Sequence, residues 1–151
     1  MTTQAKTRTI TMTNQPPVRI REDSWPVVAH GSFSDHDNEY EFQANESYKA
    51  NIRVRQHQDG RAVVYGVYEY DTRFQHRNGI TAKAGVLVAP GGDLVEAIRE
   101  VGQTLTSITD EAGHEFGSQI DAAVRDCIAE LPPVDLLSLI HISEPTRLLS
   151  I

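Results

Sequence analysis

The strongest constraint on the fold of this 151-residue chain is one change in the spacing of its apolar residues, at Pro90-Gly91-Gly92. Before this point, apolar and polar residues alternate over several short segments, which is typical of half-buried β-strands. After it, apolar residues recur every three or four positions, which is typical of amphipathic helices. Strands followed by helices predict an α+β fold, in which an antiparallel sheet of about four to five strands is followed by two amphipathic helices packed on one face.

The clearest pair of strands surrounds Asp59-Gly60. Residues 49–56 alternate apolar and charged side chains, and residues 61–70 are rich in the β-branched and aromatic side chains that strands favour. An Asp-Gly pair supplies the positive φ that a tight hairpin turn requires. We therefore predict a hairpin here. Because Pro26 has no N–H to donate, the segment around it is expected at a sheet edge or a bulge. Further strands are predicted over 18–21, 25–29 and 83–88.

Two helices are predicted after the break in spacing. Asp93, with Glu96 three residues later, is arranged as a helix N-cap. The apolar stripe of the first helix consists of Leu94, Ile98, Val101 and Leu105. That of the second consists of Ile120, Ala123, Val124, Cys127, Ile128 and Leu131. Pro132-Pro133 ends the second helix. Because Cys127 lies on the apolar stripe, we expect a buried core thiol rather than a nucleophile.

The chain divides into three parts by composition. Residues 1–15 are Thr-rich without apolar periodicity and are predicted to be a disordered leader, with Met12 as an alternative start. Residues 16–135 are predicted to form a single α+β domain, in which the polar stretch 30–47 is mostly loop. Residues 136–151 resemble the translation of a sequencing adapter read through into a gene. We therefore expect this tail to be an artefact that packs poorly, with Leu139, Ile140 and Ile142 outside the core.

Charge is distributed unevenly along the chain. The net charge is −7, and residues 93–135 contain ten acidic residues against only Arg99 and Arg125. Such a surface attracts basic partners and repels nucleic-acid phosphates, so direct nucleic-acid binding is not expected. The alternative is a solubilising face of amphipathic helices. The candidate partner-binding residues are Glu96, Glu100, Asp121, Asp126 and Glu130.

No catalytic, cofactor or metal site is predicted from the motifs. The six histidines form neither an HxH nor an HExxH pattern, and no phosphate-binding glycine motif is present. Asp35, Asp37, Glu39 and Glu46 match part of a calcium-loop spacing, but Tyr40 stands where that loop needs glycine. The acidic segment is therefore interpreted as a solvated loop.

Two alternative functions remain open at this level. A small enzyme or ligand-binding domain would have a site near the hairpin ends, with His57, Asp71, Arg73 and His76 as the first candidates. A single-stranded nucleic-acid binder would use arginines and tyrosines on the sheet as a stacking platform. The residues of that platform are Arg53, Arg55, Arg61, Arg73, Arg77, Tyr65, Tyr68 and Tyr70.

The cellular compartment is predicted from two observations. The single cysteine leaves no internal disulfide and suits a reducing compartment. No segment approaches the roughly 20 apolar residues that a membrane span needs, and the N-terminus lacks the apolar core of a secretion signal. A cytoplasmic protein without membrane contact is expected. The oligomeric state is left open.

Three segments carry a resemblance to a known group of proteins. Residues 23–29, 40–45 and 54–68 resemble a family of small uncharacterised proteins carried on plasmids and integrative conjugative elements of proteobacteria, over 12–135. The resemblance implies an accessory protein of a mobile element and carries over no functional residue. Small acidic proteins in that setting are often anti-defence factors, such as anti-CRISPR or anti-restriction proteins. The predicted function is therefore non-enzymatic binding, through an acidic surface, of a basic or nucleic-acid-binding protein.

Overall fold

The computed structural model describes residues 6–37, 46–72, 79–113 and 115–133. Its elements are β1 (Thr7–Ile10), β2 (Val18–Arg21), β3 (Val27–Asp37), β4 (Glu46–Gln56), β5 (Ala62–Thr72), β6 (Ile80–Val88), α1 (Leu94–Glu111) and α2 (Gly117–Ala129). Strands β3 to β6 form a four-stranded antiparallel sheet in sequence order, and β1 and β2 form a separate pair. The predicted α+β class, with strands first and helices after, is confirmed.

The central hairpin is β4–β5, as predicted. Val54 pairs with Val64, and Gly60 in the turn has a φ of 97°, in the region that favours glycine. Strand β3 is an edge strand whose register shifts between Val27 and Ala29. The edge position and irregularity expected around Pro26 are therefore both present.

Both helices lie against one face of the four-stranded sheet. Alternation along the strands supplies that face with small and branched residues, among them Ala50, Ile52 and Val64, each 0% exposed. Helix α1 buries Ile98, Val101 and Leu105 from its predicted stripe, and Asp93 caps it by accepting a hydrogen bond from the Glu96 N–H at 3.1 Å. Helix α2 buries the four residues Ile120, Ala123, Val124 and Cys127.

An aromatic cluster closes one end of this core. Phe116, immediately before α2, lies with its ring 4.8 Å from that of Tyr68, 5.3 Å from Tyr70 and 5.5 Å from Tyr48. The Tyr68 hydroxyl donates to the side-chain oxygen of Gln119. Burial raises the pKa of Tyr68 above its ordinary value. The hydroxyl therefore stays protonated as a donor that ties the sheet to α2.

The region predicted to be a disordered leader contains a strand. Strand β1 pairs with β2, and Ile10, Met12 and Ile20 cover Val63 on the sheet face away from the helices. The prediction of disorder over 1–15 is therefore wrong for β1 and the residues that follow it. Burial of Ile10 and Met12 against a distant strand supplies the stabilisation that their local sequence does not show.

The polar stretch 30–47 also differs from its prediction. Strand β3 extends to Asp37 and β4 begins at Glu46, so most of the expected loop is strand. The polar composition of β3 reflects its position at the edge of the sheet. Its side turned away from the helices carries polar residues such as His30 and Ser32. Residues 38–45, including Glu39 and Tyr40, lie outside the described residues, as does the tail 136–151 with Leu139, Ile140 and Ile142.

Each edge of the four-stranded sheet is protected at one position by another part of the chain. On β3, the His30 N–H donates to Glu130 Oε1 at 3.2 Å. On β6, Thr13 donates its N–H to the Gly85 carbonyl at 2.9 Å and accepts the Gly85 N–H on Oγ1 at 3.1 Å. Unpaired backbone groups on edge strands otherwise offer a template for pairing with other chains.

Cys127 is predicted to resist thiol reagents in the folded protein. Its side chain is 0% exposed, and burial raises the pKa of the thiol to about 11. Since only the thiolate reacts, and the shift from an ordinary pKa of about 9 lowers its population roughly a hundredfold, we expect labelling by dithionitrobenzoate at least that much slower than in denaturant. Equal rates in the folded and denatured protein would contradict the burial.

Candidate functional site

The five predicted partner-binding carboxylates are all exposed, and they are divided between the two helices. Glu96 and Glu100 lie one turn apart on the solvent side of α1, where spacing of four residues places them on the same face. Asp121 and Asp126 lie on α2, and Glu130 is its C-cap. The predicted partner-binding carboxylates therefore extend over both helices.

Glu130 has a structural role within the chain. Its carboxylate accepts the His30 N–H, as described above, and so joins the end of α2 to the edge of β3. A carboxylate engaged with the backbone is less available to a partner than Glu96 or Glu100. Sequence reasoning missed this contact because it joins residues 100 positions apart.

Asp121 lies in a groove between the two helices. The groove has a volume of about 580 Å³, and Arg99 and Arg125 line it together with Asp121. These are the only two basic residues of the segment 93–135, so the positive charge of the helical layer is concentrated at this groove. Outside this groove, the surface of α1 and α2 is therefore more acidic than the net charge of residues 93–135 indicates.

The acidic helical surface is larger than the five predicted residues. We define it as the nine exposed carboxylates of the described helical layer: Asp93, Glu96, Glu100, Asp110, Glu111, Glu115, Asp121, Asp126 and Glu130. The ion pairs between arginines and carboxylates of the described residues all lie in residues 8–61, between Arg8 and Glu22, Arg21 and Asp23, and Arg61 and Asp59. The negative charge of the helical layer is therefore not compensated by ion pairing within that part of the chain.

The arginine–tyrosine platform does not form as predicted. Arg53 and Tyr65 are paired across β4 and β5 on the face away from the helices. Tyr68 and Tyr70 are buried on the opposite face, at 0% and 3% exposure. Successive side chains of a strand point to opposite faces of the sheet. Tyr65 therefore cannot form one stacking surface with Tyr68 and Tyr70.

The other arginines of that platform are engaged or lie outside the described residues. Arg55 is 8% exposed, and it donates to the Tyr65 hydroxyl at 2.8 Å and to the Trp25 carbonyl at 3.1 Å. It therefore fixes the segment before β3 to the sheet. Arg73 and Arg77 fall in the undescribed stretch 73–78. What remains is a polar groove that Arg53 and Tyr65 line with Lys83.

Two of the candidates for an enzyme site, His57 and Asp71, lie near opposite ends of the β4–β5 hairpin. His57 lies at the β4–β5 turn and Asp71 near the far end of β5, an 11-residue strand. At about 3.3 Å per residue, the two are separated by roughly 30 Å. Arg73 and His76 lie outside the described residues. Asp71 and His57 therefore cannot act on one substrate atom.

His57 instead belongs to a compact cluster at the turn, which we call the turn cluster: Trp25, His57, Asp59 and Arg61. The rings of Trp25 and His57 are 5.2 Å apart, and the Arg61 guanidinium lies 5.2 Å from the centre of the indole ring. Asp59 Oδ1 accepts the Arg61 N–H at 2.9 Å, and Asp59 Oδ2 accepts from Arg61 Nε at 2.8 Å. The backbone hydrogen bond from Arg61 lowers the pKa of Asp59, so this carboxylate remains charged.

No group of three or more histidine, cysteine, aspartate or glutamate side chains is placed to hold a metal ion among the residues described. Within the described part of the chain, no helix is both long and apolar enough to cross a membrane.

Comparisons with protein-family models, curated proteins and solved structures gave no significant match to this chain.

Proposed function

We propose that the chain is a non-enzymatic binding protein that docks its acidic helical surface on a basic surface of a partner protein. The observation that supports this most is the set of nine exposed carboxylates that no ion pair within the described residues compensates. Complementary charge accelerates association and selects partners, because unlike charges attract over several ångströms of water. A basic nucleic-acid-binding groove is the partner surface with the matching charge.

The two helices are a suitable platform for such contacts. Each buries one face in the core and turns its acidic side to solvent. Gly102 lets the helices approach closely, since a methyl group there would lie 2.4 Å from Val124 Cγ2. Carboxylates on packed helices lose little conformational freedom of the backbone on binding. The resemblance to mobile-element proteins leads us to propose a nucleic-acid-binding protein of a defence system as the partner.

A comparison of two charge-matched variants tests the proposal. The helical triple E96Q/E100Q/D126N and the sheet-side triple D23N/E69Q/D71N each remove three exposed carboxylates. The probe is a fluorescently labelled lysine-rich peptide, and the measurement is its anisotropy at low and high salt. At a few tenths of a kcal/mol per exposed charge pair, we expect the helical triple to bind roughly tenfold more weakly than wild type at low salt.

The sheet-side triple provides the control for net charge. Its binding is expected to stay within roughly threefold of wild type, and the difference between the triples should shrink as salt screens the contacts. Equal weakening by both triples would show that only total charge matters, and the proposed surface would be wrong. Unchanged binding by the helical triple would have the same consequence.

A further inference from the structure

A partly open cavity lies beside the turn cluster, between the β1–β2 pair and the end of β6. Its volume is about 530 Å³, within the range of small-ligand sites. Val18 and Ile20 of β2, Trp25 and Leu87 of β6 form apolar walls, and Arg61 contributes a guanidinium. Arg19 also borders the cavity, but it lies between Val18 and Ile20 and its side chain is on the other face of β2. No carboxylate is among the lining residues. The site therefore combines an apolar interior with the guanidinium of Arg61, whose Nε donates to Asp59 outside the lining.

Leu87 gives independent evidence of an uncovered apolar surface. It is 47% exposed and is one of three large apolar residues with such exposure in the described part of the chain. Scattered exposed apolar residues are ordinary on protein surfaces. Leu87 differs because it lines the same concave site as Val18, Ile20 and Trp25, where a small apolar group would contact several apolar side chains.

Arg61 is held in a fixed orientation at this cavity. Asp59 engages its Nε, and the guanidinium lies over the Trp25 ring, although the side chain is 55% exposed. Its two terminal nitrogens have no acceptor in the described part of the chain. Parallel hydrogen bonds from two guanidinium nitrogens match the geometry of a carboxylate. The turn cluster thus presents the free edge of a preoriented guanidinium.

We propose that this cavity binds a small amphipathic carboxylate. The hydrocarbon body lies against Leu87, Ile20 and the Trp25 ring, and the carboxylate accepts two hydrogen bonds from the terminal nitrogens of Arg61. Asp59 is a positioning residue, because it orients Arg61 without contacting the ligand. The proposal is independent of the acidic helical surface.

The single tryptophan of the chain lines the cavity, so its fluorescence reports on occupancy. The probes are octanoate and octanol, which share an apolar chain and differ in charge. We expect octanoate to change Trp25 fluorescence saturably and to bind at least roughly tenfold more tightly than octanol, which lacks the charge-assisted hydrogen bonds. Calorimetry gives a second measurement of the same dissociation constants.

Matched variants locate the binding. Arg61→Gln is expected to weaken octanoate roughly tenfold while changing octanol little, and Arg21→Gln is the exposed arginine control. Leu87→Asp is expected to weaken both probes, whereas Ile108→Asp, at another exposed apolar residue, leaves both unchanged. Circular dichroism and thermal unfolding of each variant verify that it is folded.

Any one of four outcomes would contradict the proposal. The first is no saturable signal with octanoate, and the second is equal binding of octanoate and octanol by the wild type. The third is a fluorescence change that follows protein concentration without ligand, because a second copy of the chain would then cover Leu87 and Trp25. Loss of octanoate binding in Arg21→Gln to the same degree as in Arg61→Gln would also contradict the assigned contact.

Discussion

The Phe116→Ala variant is expected to lose about 3–5 kcal/mol of its free energy of unfolding, the usual cost of removing a buried phenylalanine ring. Phe116 is 9% exposed and its ring contacts those of Tyr48, Tyr68 and Tyr70. Removing it leaves a cavity bounded by three tyrosines. Because the Phe116 side chain makes no capping hydrogen bond to α2, the loss is one of packing and not of helix capping.

Urea unfolding followed by circular dichroism measures this effect. Phe116→Leu keeps an apolar side chain of smaller volume and should lose less than the alanine variant. Leu87→Ala, at a residue 47% exposed, is the control and should stay within about 0.5 kcal/mol of wild type. A loss below about 1 kcal/mol in Phe116→Ala would show that the aromatic cluster is not closely packed.

Features with a local cause could be predicted from the sequence. The β4–β5 hairpin follows from Asp59-Gly60, because its turn needs positive φ at a residue that accepts it. The start of α1 follows from Asp93, whose carboxylate accepts an N–H three residues away. In both cases the stabilising contact lies within a few residues, so the pattern and its physical reason are visible together.

Features that depend on distant contacts were missed. Strand β1 has four residues, of which only Ile10 is buried, so it is too short to show a period. What orders it is the covering of Val63 by Ile10 and Met12, more than 50 positions apart in sequence. The engagement of Glu130 with the His30 N–H is invisible for the same reason.

The separation of the β5 tyrosines onto two faces of the sheet is predictable from the sequence alone. Tyr65 is an odd number of positions away from Tyr68 and from Tyr70. Because side chains alternate along a strand, it lies on the opposite face of the sheet from both. The acidic helical surface was easier to predict, because exposed positions of amphipathic helices follow from the apolar stripe alone. The cavity beside Trp25 was not predictable, since β2, the turn cluster and β6 meet there only after the β1–β2 pair has docked.

The Gly31→Ala variant is expected to be destabilised by at least about 3 kcal/mol, the upper end of the usual cost of overpacking. A methyl group at Gly31 would lie 2.0 Å from the Ala123 carbonyl oxygen and 2.5 Å from the Cys127 nitrogen. Both are backbone atoms of α2, so no side-chain rotation relieves the clash. The helix must move away from β3, which also stretches the contact between Glu130 and the His30 N–H.

Gly117→Ala is the matched control, because a methyl group there meets only Thr106 Cγ2, at an ordinary 3.5 Å. At the first residue of α2, alanine should leave stability unchanged or raise it by up to about 1 kcal/mol. Urea unfolding gives both free energies, and hydrogen exchange at the His30 amide reports whether α2 has moved. If Gly31→Ala unfolds within about 0.5 kcal/mol of wild type and the His30 amide keeps its protection, α2 does not pack on β3 this closely. If only the Gly31 variant loses stability and protection, the close approach of α2 to the edge strand is what requires glycine there.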